Sequence, residues 1–286
     1  MKGRCVVVTG ALSDVGRELA RLLSANTTRV LLVDAPERAA ELEALSRSMR
    51  GAEVAWTTAE PGRKESFERV AHLAERRFGP GAMTGWVNCA PGKAPAADAL
   101  SGSLTDLRAQ FESGFWSVVL ATEVAVSRLR ERGGTVVNVG SIHSDRAFPA
   151  RSAEAVPQHA AKAWTDALRM ELARERVPVE VSLVKAGLSH RYAPVVSARA
   201  VIACLSRPRR DLTVGGRTAL LIALEKFLPA LTDRLLLRAP RLTSHGPRRH
   251  RSLYTQLKLQ RVVPWVPLLA LAGAGAGLRT MKLQRR

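Results

Sequence analysis

The stretch that decides the fold is Thr9–Glu18, which reads T-G-A-L-S-D-V-G-R-E. It follows an apolar run, Arg4–Thr9, with the β-branched content of a buried strand, and it opens a segment with the apolar spacing of a helix. A glycine-containing turn between a strand and a helix lets backbone amides and the helix N-terminus approach a phosphate group. We therefore predict a phosphate-binding loop here, in which Asp14 adds bulk and negative charge.

Outward from this loop, short β-branched runs alternate with longer helical patterns. The residues from Phe111 to Leu129 and from Glu154 to Arg174 carry apolar side chains three and four apart, as amphipathic helices do. This alternation is typical of βαβ units and predicts an α/β fold with a Rossmann-type, doubly wound parallel sheet. The predicted strands are Arg4–Thr9, Arg29–Asp34, Glu53–Thr57, Thr84–Cys89, Gly134–Gly140 and Val179–Lys185, with a short edge strand at Leu212–Gly216.

In this order, the motifs resemble those of the short-chain dehydrogenase/reductase family over about 190 residues. The family's T-G-x-x-x-G-x-G loop is matched at Thr9, Gly10 and Gly16, whereas its middle glycine is replaced by Asp14. The resemblance implies a nicotinamide dinucleotide cofactor and oxidoreductase chemistry. It implies cofactor contacts from the loop residues Thr9, Gly10, Asp14, Val15 and Gly16.

Further cofactor contacts are expected at the ends of later strands. Asp34 ends the second strand, where a carboxylate accepts the adenosine-ribose hydroxyls and repels a 2′-phosphate, which favours NAD over NADP. The alternative is that Asp34 caps the next helix. The resemblance adds Glu60 near the adenine, and Asn88 and Ala90 in a turn that matches N-N-A-G in part. It also adds Gly187, in a loop that touches the nicotinamide amide.

The catalytic residues of the family are mostly replaced. Reduction of a carbonyl by nicotinamide needs a proton donor beside the oxygen and a positive charge that lowers the donor's pKa. The fifth strand ends at Ser141, which matches the family's serine, and Trp164–Leu172 resembles the later part of its active-site helix. Both anchors place Glu154 at the tyrosine position and Gln158 at the lysine position, and Gly114 stands where the family has asparagine.

Two hypotheses follow for the function. The first is a catalytically impaired or non-catalytic member of the family, a pseudoenzyme that binds NAD weakly and works by associating with a membrane or a protein partner. The alternative is an active NAD(P)-dependent oxidoreductase acting on a hydrophobic alcohol or ketone through Ser141 and Glu154, with His143 and His190 as further titratable candidates. Glu154 is otherwise explained as a glutamate that the helix dipole favours at a helix start.

The chain divides by composition into four parts. We predict a dinucleotide-binding domain over 1–216, an apolar helix over 217–238 packing on it, a basic linker over 239–261 and an apolar tail over 262–286. The net charge of +19 is +3 up to residue 190 and +16 beyond it. The uncharged run 262–278 corresponds to about 25 Å of helix, which predicts a membrane segment or surface anchor, with a strap folded over the domain as the alternative.

Partners and location follow from the same features. The N-terminus lacks a secretory signal pattern, so we expect a cytoplasmic protein, membrane-associated through its tail. The arginines of the tail lack interleaved aromatic residues, which makes nucleic acid the less favoured partner. Three cysteines at unrelated spacings predict neither disulfides nor a structural metal. The resemblance implies a homo-oligomer formed through the helices around residues 111–129 and 154–174.

Overall fold

Seven parallel strands form one sheet in the computed structural model, which describes residues 4–26, 28–51, 53–89, 99–100, 102–187 and 193–238. The β-branched runs form its strands because their side chains pack on both faces of the pleat, where most are buried. The strands are β1 (Cys5–Thr9), β2 (Arg29–Asp34), β3 (Val54–Thr58), β4 (Met83–Cys89), β5 (Gly134–Ser141), β6 (Val179–Ala186) and β7 (Asp211–Thr213).

The strand order is β3-β2-β1-β4-β5-β6-β7, which confirms the predicted Rossmann-type doubly wound sheet. The chain first winds outward from β1 to β3 and then crosses to β4 on the other side of β1. In open sheets of this kind the crevice at the reversal point, beside the carboxyl ends of the strands, receives the ligand. The predicted phosphate loop after β1 lies at this point.

Helices cover both faces of the sheet. One hydrophobic cluster joins it to α1, α2 and α7, through residues such as Leu19, Leu42 and Val201. The opposite cluster joins it to α3, α5 and α6, through Phe67, Val124 and Leu172. The helices are α1 (Asp14–Ala25), α2 (Ala39–Ser48), α3 (Lys64–Phe78), α4 (Leu104–Phe111), α5 (Ser117–Leu129), α6 (Ser152–Arg174), α7 (Ala193–Ser206), α8 (Gly216–Phe227) and α9 (Pro229–Arg238).

Two predictions about elements are wrong. The single helix expected over 217–238 is a pair, α8 and α9, that separates at Leu228, because a residue before proline is pushed out of the helical region and Leu228 has φ −139° and ψ 59°. The edge strand expected at Leu212–Gly216 begins earlier and is Asp211–Thr213, since Gly215, at φ +92°, already turns the chain into α8.

The predictions for the basic linker, the apolar tail, Ala90 and His190 fall outside the described residues. Within the ranges that the structure describes, every helix is too short or too polar to cross a membrane. The same ranges hold no group of three or more histidine, cysteine, aspartate or glutamate side chains placed to bind a metal ion.

Candidate functional site

The two glycines retained in the phosphate loop are required by the packing of the protein's own backbone. Gly10 has φ +63°, and a Cβ atom added there would lie 2.3 Å from the carbonyl oxygen of Cys89. A Cβ atom added at Gly16 would lie 2.4 Å from the carbonyl oxygen of Gly10. The loop conformation therefore excludes any side chain at these positions, whether or not a nucleotide binds.

The replaced glycine position faces solvent instead. Ser13 caps α1, because its Oγ accepts a hydrogen bond from the Gly16 N–H at 3.1 Å, and Asp14 is the first residue of the helix. The Asp14 side chain is exposed. A carboxylate in the first turn is favoured by the helix dipole, but it competes there with any anionic ligand.

Asp34 holds the phosphate loop from the end of β2. Its Oδ2 accepts a hydrogen bond from the Leu12 N–H at 2.8 Å, and its Oδ1 accepts one from the Ala35 N–H at 3.0 Å. Arg38 lies 3.7 Å from Oδ1, so a cation stands beside the carboxylate. The side chain thus fixes both the loop and the start of the next turn, at the place predicted for the adenosine ribose.

A small ionic cluster beside Asp34 was not predicted from the sequence. Glu41 accepts from Arg17 at 2.9 Å and from Arg38 at 3.0 Å. The hydrogen bond from Arg38, with the charges of both arginines, lowers the pKa of the Glu41 carboxyl. The only sign of this cluster in the sequence is a basic residue after each of the first two strands. That pattern does not predict whether a carboxylate pairs with these cations.

Asn88 is the centre of a buried polar network under the site. Its Oδ1 accepts from Thr9 Oγ1 and Trp86 Nε1, both at 2.9 Å, and its Nδ2 donates to Thr122 Oγ1 and Asn138 Oδ1, also at 2.9 Å. The amide has no further hydrogen-bonding capacity. Its side chain therefore ties β1, β4, β5 and α5 together, while its backbone ends β4.

Two other residues predicted to contact the cofactor are Glu60 and Gly187. Glu60 pairs with Arg63 at 2.8 Å on the surface after β3. A Cβ atom added at Gly187 would lie 2.8 Å from the carbonyl oxygen of Val214, so this glycine allows the end of β6 to pack closely on the segment after β7. Both lie at the carboxyl edge of the sheet, as the resemblance implied.

Ser141 and Gln158 are directly bonded. The Oε1 of Gln158 accepts from the Ser141 hydroxyl at 2.8 Å and from the Ser141 N–H at 3.0 Å, and Ser141 Oγ accepts from the His143 N–H at 3.1 Å. The hydroxyl proton of Ser141 is thereby engaged by Gln158, the residue predicted at the lysine position. A neutral amide provides no positive charge at this place.

Glu154 is buried in an ionic cluster. Only 8% of its side chain is exposed, its Oε2 lies 3.2 Å from His143 Nε2, and its Oε1 lies 3.6 Å from Arg151 Nη1. The His143 ring packs edge-to-face on Phe148, and its buried Nδ1 has no hydrogen-bond partner among the described residues. The sequence singled out Glu154 and His143 separately, but only the fold shows that they touch.

Gly114 lies in a single π-helical turn, Glu112–Trp116, between α4 and α5. A Cβ atom added at Gly114 would lie 3.4 Å from the Cβ of Pro157, which is buried inside α6. Proline in a helix interior removes one backbone hydrogen bond. Gly114, at the predicted asparagine position, and this unusual proline are therefore neighbours, and a Cβ atom at Gly114 would meet the proline at ordinary contact distance.

A lysine at the end of β6 is a further charged group that the sequence analysis missed. The Nζ of Lys185 lies 2.8 Å from Oδ2 of Asp145, and only 5% of the residue is exposed. Lysine is rarely buried without a partner, so this ion pair accounts for its position. Its place after an apolar strand was the signal, but its partner lies 40 residues away in the chain.

Comparison with known proteins identifies the family. The model of the short chain dehydrogenase family matches residues 4–190. This match covers the sheet from β1 to β6, the phosphate loop and the Ser141 region. The chain belongs to the short-chain dehydrogenase family.

Individual relatives are distant. The chain is 28% identical over 282 residues to the uncharacterized oxidoreductase YxnA of Bacillus subtilis, covering 89% of this chain and 78% of that protein. It is 26% identical to dehydrogenase/reductase SDR family member 7B of Bos taurus, covering 82% and 81%. An alcohol dehydrogenase of Thermococcus sibiricus, solved with 5-hydroxy-NADP, superposes with a TM-score of 0.63 at 20% identity over 74% of this chain and 95% of that one, which shows the shared fold.

Proposed function

We propose that this chain is a non-catalytic member of the short-chain dehydrogenase family, a pseudoenzyme. The observation that carries the proposal is the bond between Gln158 and Ser141. The Oε1 of Gln158 accepts both the N–H and the O–H of Ser141, so the serine has no proton left to donate to a substrate oxygen. A neutral amide at this position also cannot lower the pKa of a neighbouring acid.

The surroundings of Glu154 support the same proposal. The tyrosine position holds a carboxylate that is nine-tenths buried and faces His143 and Arg151. A carboxylate held by these two contacts is not the hydroxyl donor that the family's tyrosine provides. The described part of the chain contains no tyrosine that could replace it.

The residues present fit the adenosine ribose of a nicotinamide dinucleotide but not its pyrophosphate. Asp34, at the end of β2, suits the adenosine ribose, which favours NAD over NADP. The exposed carboxylate of Asp14, at the N-terminus of α1, opposes a pyrophosphate through both its charge and its volume. We therefore propose weak binding of NAD.

A second candidate is favoured by one observation, the contact between His143 and Glu154. The His143 and Glu154 side chains are 14% and 8% exposed and lie 3.2 Å apart, as in an acid–base pair, and the Nδ1 of His143 is left without a partner within the described residues. In this alternative the protein is an active NAD(P)-dependent oxidoreductase of hydrophobic alcohols or ketones, with Glu154 and His143 in place of tyrosine and lysine.

The experiment that separates the candidates combines binding and turnover on the full chain. NAD and NADP are titrated calorimetrically, and the absorbance of the reduced nicotinamide is followed with a panel of alcohols and ketones. We expect weak NAD binding and no turnover. Turnover that is abolished by both Ser141→Ala and Glu154→Gln would overturn the pseudoenzyme proposal and establish the alternative.

We also propose that the protein is a cytoplasmic homo-oligomer that associates with membranes through its tail. Val156 and Met170 lie on one face of α6, fourteen residues apart, and both are exposed, as is Trp116 at the start of α5. These apolar residues are on the two helices that the family resemblance suggests for the interface. The basic linker 239–261 and the uncharged run 262–278 support the membrane contact by their composition.

A further inference from the structure

The helices α8 and α9 carry apolar residues on two opposite faces. On the inner face, Leu236 is buried with Ile142 and Phe148, and Leu221 and Ile222 pack against the same cluster. This contact fixes the pair on the loop that follows β5. A surface helix with only this task would be polar on its outer face.

The outer face is apolar instead. On α8, Leu220 and Phe227 are 60% and 73% exposed and lie seven residues apart, on one stripe with Ala223. On α9 and the residue before it, Leu228, Leu231 and Leu235 are about half exposed at the same helical spacing. The two stripes together form what we term the outer face of α8–α9.

Cations border this outer face. Arg217, Lys226, Arg234 and Arg238 are exposed, each three residues from a member of a stripe, and none forms an ion pair with another described residue. The two acidic residues of the pair, Glu225 and Asp233, both bind Arg146, and of the two only Asp233 is exposed. Within the described residues, the exposed surface of the pair therefore carries four cations outside any ion pair, whereas both carboxylates are engaged by Arg146.

We propose that the outer face of α8–α9 docks on an anionic lipid surface. Its leucine and phenylalanine side chains enter the boundary between headgroups and acyl chains, and the four cations bind lipid phosphates. This inference rests on the proposed membrane association and adds a contact made by the folded domain to the one made by the tail.

Charge disfavours the two other candidate occupants of this face, a second copy of the chain and the chain's own tail. A second copy docked through the same face would bring the cations of both copies together. The chain's own residues 239–286 include ten lysines and arginines and no aspartate or glutamate, so they carry no side-chain carboxylate for the four cations. An anionic lipid surface satisfies both the apolar and the basic groups.

The test uses the full chain with an environment-sensitive dye on Leu231→Cys. The native cysteines are all buried, so the new thiol is the reactive one. Mixing with vesicles of phosphatidylcholine and phosphatidylglycerol should raise the dye emission several-fold and shift it to shorter wavelength. Vesicles of phosphatidylcholine alone, and the same dye on Ala40→Cys at the exposed surface of α2, should give no change.

Vesicle sedimentation separates this proposal from the one about the tail. Binding to anionic vesicles without a response at residue 231 leaves the tail association standing and overturns docking by α8–α9. No binding at all overturns both. A dye that is already shielded in buffer also overturns the proposal. Shielding that depends on protein concentration would indicate that a second copy covers the face. Shielding that does not depend on concentration would indicate that the chain's own tail covers it.

A double substitution then measures the contribution of the outer face. Leu228→Glu with Leu231→Glu should weaken binding to anionic vesicles at least about tenfold, because two apolar contacts become repelled charges. Leu104→Glu, at a more exposed leucine on α4, is the control and should leave binding unchanged. Equal binding by the double variant and the control would contradict the proposal.

Discussion

At the residue scale, the three glycine positions of the phosphate loop differ in what surrounds them. Gly10 and Gly16 are held by contacts of the protein with itself, since added Cβ atoms would collide with backbone oxygens. Asp14, at the middle position, faces solvent at the helix N-terminus. The change has therefore fallen on the position where a side chain affects a ligand and leaves the fold intact.

Replacing Asp14 should restore nucleotide affinity. We expect Asp14→Gly to tighten NAD binding about tenfold, which corresponds to about 1.4 kcal/mol, because charge and bulk near the pyrophosphate are both removed. Asp14→Asn, which removes the charge and keeps the bulk, should give part of this gain. Calorimetric titration measures both, and unchanged affinity in both variants would remove Asp14 from the account.

The bond between Gln158 and Ser141 should also stabilise the fold. Gln158→Met keeps the length of the side chain and removes the acceptor, so the two donors of Ser141 lose their partner at a cost of about 1–2 kcal/mol. The same change at Gln110, on α4, removes no hydrogen bond within the described structure and serves as the control. Urea denaturation compares the two, and equal midpoints would show that the Gln158 bond contributes nothing.

At the scale of elements, α6 and the π-helical turn before α5 are fitted to each other. Gly114 lies against Pro157. Gly114→Asn, which brings in the family's residue, should lower the free energy of unfolding by up to about 1 kcal/mol, because the new side chain must fit beside Pro157, whose Cβ would lie 3.4 Å from the added Cβ. In a Pro157→Ala background the loss should fall by at least half. Equal losses in the two backgrounds, measured by urea denaturation, would show that the positions are not coupled.

A second contact between elements, an ionic cluster between α6 and the edge of the sheet, predicts that the stability of the protein depends on pH. Burial raises the pKa of Asp166, but the hydrogen bond from Lys162 and the charges of Lys162, Arg169 and Arg210 lower it further, so it lies below 3.8. A carboxyl with a lowered pKa in the folded state stabilises the protein above the unfolded-state value and ceases to do so as the pH falls through the folded-state value.

Asp166→Asn should therefore cost about 1 kcal/mol at neutral pH and progressively less as the pH falls below 3.8. The measurement is urea denaturation of both proteins across this range. Glu180→Gln, at an exposed carboxylate of β6, is the control and should change stability little at any pH. A constant difference between the Asp166 variant and the parent would contradict the assignment of the lowered pKa.

Most of the sheet could be predicted because its signals are local. Both ends of β2 were predicted, and the ends of β1, β3, β4, β5 and β6 to within one residue, since β-branched runs and turn residues bound them. The break between α8 and α9 was missed because the apolar spacing continues through Pro229. Periodicity describes the faces of a helix, whereas the proline decides where it ends.

At the scale of the whole molecule, the sheet brings together residues whose mutual contacts could not be predicted from the sequence. Motif spacing yields only a prediction of which residues stand at the catalytic positions. It could not predict that Gln158 turns to Ser141, that His143 meets Glu154, or that Lys185 pairs with Asp145. These contacts join residues on different elements, so they depend on the three-dimensional packing and not on any local pattern.

If the fold is kept while proton transfer at the carbonyl site is lost, as proposed, the protein should reduce no ketone. Transfer of deuterium from 4-deuterated NADH to a panel of ketones, followed by mass spectrometry, measures this reaction, because even a few turnovers are detected. We expect no more deuterated alcohol with the full chain than with buffer alone. Deuterated product that disappears in both Ser141→Ala and Glu154→Gln would contradict it.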